Sequence, residues 1–207
     1  QRVRDIVRQD FRNESCGFKV AIVGSGPAGL TAAFDLVKMG HEVTVYEALD
    51  KPGGMPRYGI PYYRLPADRL DADIEVIRSA GVNIICNTWI GRDISLEQLH
   101  QENDAVLLSL GLQLGRSTRI PGSDHAQVHK AVSLLRMIAD GQSFDVPKSA
   151  AVIGGGNVAM DIARSLARLQ KKQFGKADIT ITAMESFDHF LADPEEVREA
   201  GEEGITI

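Results

Sequence analysis

The chain has 207 residues and a net charge of −5, with 43% hydrophobic and 25% charged residues. These values fit a globular chain and exclude a disordered, collagen-like or disulfide-scaffold protein. A mildly acidic chain without a basic run is a poor partner for nucleic acid or an anionic membrane, and no apolar stretch nears the roughly 18–20 residues of a bilayer span. At about 150 residues per domain, the length allows one large domain or two small ones. The start lacks the apolar core of a signal peptide. Cys16 and Cys86 form no disulfide framework, which fits a reducing cytoplasm. Because the chain opens on Gln1, it reads as a piece of something longer.

Val3, Ile6, Val7 and Phe11 recur at helical spacing, so residues 1–15 read as an amphipathic surface helix. Phe18–Val23 is a short apolar run that stops at Gly24, the pattern of a buried parallel strand. Leu30–Met39 follows as a helix with Leu30, Ala33, Phe34 and Val37 on one face and Gly40 at its end. Glu42–Glu47 is the second strand, which completes a β-α-β unit. Pro52–Pro66, crowded with proline and glycine, is a long loop of the kind that usually carries function. Ala67–Ala80 reads as a helix, Val82–Asn87 as a strand, Ser95–Gln98 as a capping box opening a short helix, and Asp104–Leu110 as a strand.

Leu112–Val146 holds one helix, near Ala131–Asp140, and reads as a bridge. Then the pattern restarts with strand Ala150–Ile153, helix Asn157–Leu169 and strand Ile179–Ala183. Asp193, Pro194, Glu195 and Glu196 make a strong helix start, and Gly204–Ile207 resembles the beginning of another strand. The repeat is a domain duplication, since its two glycine turns lie far further apart than a solenoid period. The expected division is an N-terminal helix or linker (1–17), a first dinucleotide domain (18–112), a bridging segment (113–148) and a second dinucleotide domain (149–207). The fold class is α/β with two Rossmann-like domains.

The first turn, Gly24-Ser25-Gly26-Pro27-Ala28-Gly29, is a full G-x-G-x-x-G. Gly24 permits the tight turn, Gly26 lets a pyrophosphate approach the backbone, and Gly29 allows close helix–strand packing. Free amides at the helix start then meet the phosphate charge. Glu47, at a strand end 23 positions on, is the acid expected to hold a ribose hydroxyl. The competing reading is a glycine-rich structural turn. The second turn, Gly154-Gly155-Gly156-Asn157-Val158-Ala159, is the G-x-G-x-x-A variant. Its candidate acid is Glu185, which comes late. Lys171–Lys176, read as an extended helix–strand loop, account for the delay; otherwise Glu185 is a solvated strand-end carboxylate. Two such sites suggest a flavin and a nicotinamide, because hydride can pass between them.

Together with Gly53-Gly54-Met55-Pro56-Arg57-Tyr58-Gly59-Ile60-Pro61, Arg64-Leu65-Pro66, the Gly154–Asp161 stretch and the Asp193–Glu196 start, these motifs resemble the small subunit of bacterial glutamate synthase. The flavin and nicotinamide domains of dihydropyrimidine dehydrogenase are similar. The resemblance runs from about Lys19 to Ile207. It implies FAD at the first turn, with Gly24, Ser25, Gly26, Pro27, Ala28 and Gly29 around the pyrophosphate and Glu47 at the adenosine ribose. Gly54, Met55 and Arg64 would also contact FAD, and Ile90 would lie near the adenine. The second turn would hold NAD(P)H through Gly154, Gly155, Gly156, Asn157 and Val158.

Three departures from that family matter. Members using NADPH carry basic residues just after the second-domain strand, where this chain has Met184 and Glu185. Glu185 would repel a 2′-phosphate, so NADH is favoured, and Lys171, Lys172 and Lys176 could serve NADPH only if their loop folds back. The family's flavin domain is closed by a late strand with a Gly-Asp pair, a dipeptide this chain does not contain. Both domains are therefore expected to be truncated, and the isolated residues to bind FAD weakly or not at all. Iron–sulfur segments usually lie upstream in the family, and two cysteines cannot hold a four-cysteine cluster. No side chain stands out as a catalytic acid or base and no metal site is expected. The five histidines are scattered, and Cys86 reads as core.

The expected activity is that of a flavin-dependent oxidoreductase. It passes hydride from NAD(P)H to FAD and electrons onward to an iron–sulfur domain or partner subunit. A non-catalytic nucleotide-binding or assembly module is the main alternative, and a flavin-free NAD-dependent dehydrogenase a third, opposed by the Gly53–Pro66 loop.

Overall fold

A computed structural model describes residues 14–115, 120–186 and 189–207. The helix read over residues 1–15 falls almost wholly outside them. The chain divides into two compact units: residues up to Tyr58 with Tyr62–Gln113, and Gly59–Pro61 with Leu114–Ile207.

In the first unit, β1 (Lys19–Val23), β2 (Glu42–Tyr46), β3 (Asn83–Ile85) and β4 (Ala105–Leu108) form a parallel sheet in the order β3-β2-β1-β4. Ala21 and Ile22 are fully buried on opposite faces of β1, as expected for a central parallel strand. One face packs Ile22, Val43, Val45 and Ile84 against Leu30, Ala33 and Val37 of α1 (Pro27–Lys38) and Ile74 of α3 (Ala67–Ser79). The other packs Ala21 and Val23 against Leu99 of α4 (Leu96–Glu102). Between β2 and α3 lies a single turn, α2 (Met55–Tyr58). The α1 helix starts at Pro27, three residues before the sequence reading, because proline fits the first helical position at no hydrogen-bond cost. The capping box at Ser95 forms by half. Ser95 accepts from the Gln98 amide at 3.0 Å, while the Gln98 side chain turns to Glu102 instead of returning.

In the second unit, β5 (Ala150–Ile153) and β6 (Ile179–Thr182) pair in parallel, and Thr206 forms a single parallel bridge to Thr180. The expected Gly204–Ile207 strand is thus present as one bridge. The core gathers Val152, Ile179 and Ile181 around Ile162, Ala163 and Leu166 of α6 (Asn157–Phe174), with Leu135 of α5 (Ala131–Ala139) and Val197 of α7 (Pro194–Glu202). The helix read as a bridge therefore packs into the second core.

One expectation is overturned here. The Lys171–Lys176 stretch is not an extended loop, because α6 runs on to Phe174 and stops at Gly175, whose φ of +77° is the left-handed stop glycine favours. Lysine and glutamine are good helix formers, and Lys171 and Lys172 favour the negative end of the helix dipole. Lys171 lies 14 residues, about 21 Å, beyond Asn157 along the helix, so these lysines cannot fold back to the glycine turn.

The guanidinium of Arg164 on α6 is buried and meets Glu196 at 2.5 Å, Glu199 at 2.7 Å and Glu203 at 2.9 Å, and Arg168 also pairs with Glu203. This cluster clamps α7 onto α6. Burial pushes the Glu203 carboxyl up, but the hydrogen bonds from Arg168 and Arg164 outweigh it and leave its pKa below the ordinary 4.5. A folded-state pKa below the unfolded one gives stability that is present above the unfolded value and lost as the pH falls through the folded one. Glu203→Gln is therefore expected to melt below the wild type at pH 7, with the gap closing as pH drops below about 4.5. Thermal melts of both proteins between pH 7 and pH 3 check this.

Candidate functional site

The two glycine turns are built alike. Gly24 donates to the Tyr46 carbonyl at 2.8 Å and Gly154 to that of Thr182 at 2.8 Å, which fixes each turn against the end of the neighbouring strand. Residues 24–30 and 154–160 also show the same succession of burial, position by position.

Each glycine answers to its surroundings. A Cβ on Gly29 would sit 2.0 Å from the Gly24 carbonyl oxygen, so the first helix can approach its strand only with glycine there. In the second turn alanine stands at the third position, and a Cβ on Gly154 would lie 3.8 Å from the Ala159 methyl, an ordinary contact. Gly26 and Gly156 differ from both. They carry extended backbones, and a Cβ on either would meet no atom within 4 Å. Open space at those two positions is where a pyrophosphate would approach the main chain. Neither helix has a side-chain cap or an acid in its first turn, so the amides at each start are left for an anion. Ala28 and Val158 are exposed at these starts.

Glu47 is buried just past the end of β2. Its Oε2 accepts from the Ser25 amide at 3.1 Å and from the Ser25 hydroxyl, and its Oε1 accepts from the Leu49 amide at 2.9 Å. The Ser25 side chain is fully buried and faces Glu47. Gly53 and Gly54 lie close by. The Gly53 amide donates to the Ser25 carbonyl at 3.0 Å, and a Cβ on Gly54 would come within 2.7 Å of the Gly26 Cα, so the loop backbone lies against the first turn. Met55 opens α2 half-buried, and Arg64 is exposed in the turn before α3. The side chain of Ile90 packs beside Val23 and Leu99.

Several partners were not visible in the sequence. Arg57, whose side chain is buried, donates to the Pro52 carbonyl and pairs with Asp71, which ties the loop to α3. Tyr58 donates to Asp50 at 2.8 Å at the same loop's base. In the second unit a Cβ on Gly155 would meet the Phe190 ring at 3.0 Å and the Ala183 methyl at 3.2 Å. The Asn157 side chain accepts from the Asp193 amide at 2.8 Å and holds the start of α7. Register also reassigns a counterpart. Tyr46 pairs with Val23 and Thr182 with Ile153, so the residue matching Glu47 is Ala183, and Glu185 lies two places beyond it, half-buried. Counting from the strand pairing rather than from the glycines would have found this.

Two parallel β-α-β units, each with an open glycine turn at a helix start, define a chain of the two-dinucleotide Rossmann class. The pattern of the pyridine nucleotide-disulphide oxidoreductases matches residues 18–206, and the chain belongs to that family of flavin- and NAD(P)H-dependent oxidoreductases. It is 44% identical over 190 residues to the NAD-dependent dihydropyrimidine dehydrogenase subunit PreT of Escherichia coli, covering 91% of this chain and 44% of that one. It is 39% identical to the glutamate synthase [NADPH] small chain of Bacillus subtilis, covering 84% of this chain and 40% of that one. Among solved structures, FprA of Mycobacterium tuberculosis in complex with NADPH superposes with a TM-score of 0.77 at 26% identity, over 89% of this chain and 47% of that one. The chain thus spans under half the length of these relatives. The resemblance read from the motifs is confirmed by both curated relatives. No described helix is long and apolar enough to cross a membrane.

Proposed function

We propose that the first unit holds FAD and the second NAD(P)H, and that the whole protein carries electrons from the nicotinamide to an iron–sulfur domain or partner subunit. The observation that carries this reading is the pair of turns with matching burial and open space at Gly26 and Gly156. FAD, when bound, takes hydride from the reduced nicotinamide and hands electrons onward. The chain's own share is to bind and orient. The amides of Ala28 and Gly29 face the FAD diphosphate, Glu47 accepts from the adenosine ribose, and Gly54, Met55 and Arg64 line the same ligand, with Ile90 towards the adenine. Gly156 and the start of α6 receive the nicotinamide dinucleotide. That relatives are named as subunits supports electron delivery to a partner.

The test is a flavin fluorescence titration of the whole protein carried to high FAD concentration, followed by mixing with NADH. Saturable one-to-one binding and flavin bleaching are expected; no saturation overturns the reading. Binding of both nucleotides without bleaching would favour the assembly-module alternative.

NADH is favoured over NADPH in this reading, because Glu185 would repel a 2′-phosphate and accept from a free ribose hydroxyl. Ala183 offers no carboxylate at the strand end, so Glu185 is the nearest acid along the chain to do so. Glu185→Arg is expected to move the NADPH-to-NADH affinity ratio by about tenfold towards NADPH. Titration of both nucleotides against both proteins measures it, and an unchanged ratio rejects the role.

A further inference from the structure

We propose that Ser25 is a positioning residue that aims the Glu47 carboxylate at the flavin's ribose, an inference that rests on FAD occupying the first turn. The Ser25 hydroxyl is fully buried, and a buried hydroxyl is costly unless bonded. Its bond goes to Glu47 Oε2, which also accepts from the Ser25 amide at 3.1 Å. Two donors from one residue satisfy that oxygen. A carboxylate has about four acceptor positions, and the Leu49 amide at 2.9 Å takes one on Oε1. One position therefore remains, and it lies on Oε1. Glu47 then offers a ribose a single, fixed acceptor rather than a freely turning carboxylate.

The hydroxyl also reaches sideways. Its oxygen stands 3.3 Å from the Gly53 amide, which bonds the Ser25 carbonyl at 3.0 Å. One residue so joins the glycine turn, the acid and the Gly53–Gly54 loop. The second unit supplies an independent comparison. There Gly155 and Ala183 stand at the two matching places, and a Cβ on Gly155 would meet both the Phe190 ring, at 3.0 Å, and the Ala183 methyl, at 3.2 Å. The turn that keeps the acid keeps the hydroxyl, and the turn that lacks one lacks the other.

Flavin fluorescence titrations of the whole protein test the proposal with four proteins: wild type, Ser25→Ala, Glu47→Gln and the double variant. Ser25→Ala is expected to raise the Kd for FAD about tenfold, as loss of one charge-assisted hydrogen bond would, while Ser25→Thr, which keeps the hydroxyl, restores binding. In the Glu47→Gln background the same Ser25→Ala change should alter the Kd less than about twofold, because the carboxylate it orients is already gone. Unchanged FAD affinity in Ser25→Ala, or equal losses in both backgrounds, would overturn the proposal. So would failure of both Ser25 variants to fold, which would make the residue part of the core alone. A wild type that binds no FAD would instead sink the flavin reading, and this inference with it.

Discussion

Gly29→Ala is expected to melt the first unit far below the wild type. The added Cβ would lie 2.0 Å from the Gly24 carbonyl oxygen, 3.2 Å from its carbon and 3.4 Å from the Ile22 side chain. The first two are backbone atoms held by the Gly24 amide bond to Tyr46 at 2.8 Å, so they cannot yield as a flexible side chain would. Relief requires α1 to move off β1, which opens the core around Leu30 and Ala33, both buried. Overpacking of this kind costs about 3 kcal/mol, a large part of the 5–15 kcal/mol that typically holds a domain. For a unit of this size the melting temperature should drop by roughly 10 °C or more. Differential scanning calorimetry of the variant measures it, and a drop of only a few degrees would mean that helix and strand are not so closely packed.

Gly26→Val should do the reverse: keep the fold and lose the ligand. Gly26 sits at φ −71° and ψ 178°, an extended conformation valine adopts readily, and its Cβ would touch nothing within 4 Å. The cost to stability is limited to the poorer helix cap, about 1 kcal/mol. The valine methyls, however, would fill the space proposed to admit a diphosphate to the amides. FAD affinity is expected to fall at least about 100-fold, equivalent to some 2.8 kcal/mol. Gly156→Val, at φ −97° and ψ 172° and equally open, should weaken NADH to a similar degree and leave FAD alone. Parallel titrations of both variants with FAD and NADH read this out. If Gly26→Val weakens NADH, or Gly156→Val weakens FAD, the assignment of one dinucleotide to each turn fails. The contrast with Gly29 matters because it separates two jobs within one motif: one glycine packs, the other makes room.

Legibility in the sequence followed the range of the interaction. Both β-α-β units and the two turns could be read because each is local: an apolar run of strand length, a glycine where φ must be positive, a helix stripe. The Asp193 cap is likewise local, accepting from the Glu195 amide at 2.9 Å two residues on. The end of α6 was misread because Lys171, Lys172 and Gln173 are polar, and a polar stretch looks like a loop unless its helix propensity and the stop at Gly175 are weighed together. The half-made box at Ser95 shows the same limit, since the competing partner, Glu102, decides where the Gln98 side chain goes.

By itself, then, the order of residues determined two nucleotide-shaped elbows, their glycines and the acid after the first of them, because backbone geometry and apolar period act over a few neighbours. Only the folded chain decided that Ser25 spends one oxygen of Glu47, that Gly54 presses on Gly26, that Ala183 stands where a second acid would be, and that Phe190 packs beside Gly155. Those outcomes join residues some 20 to 35 positions apart, and they depend on strand register and on which groups are shut away from water, neither of which is written in any short stretch of sequence.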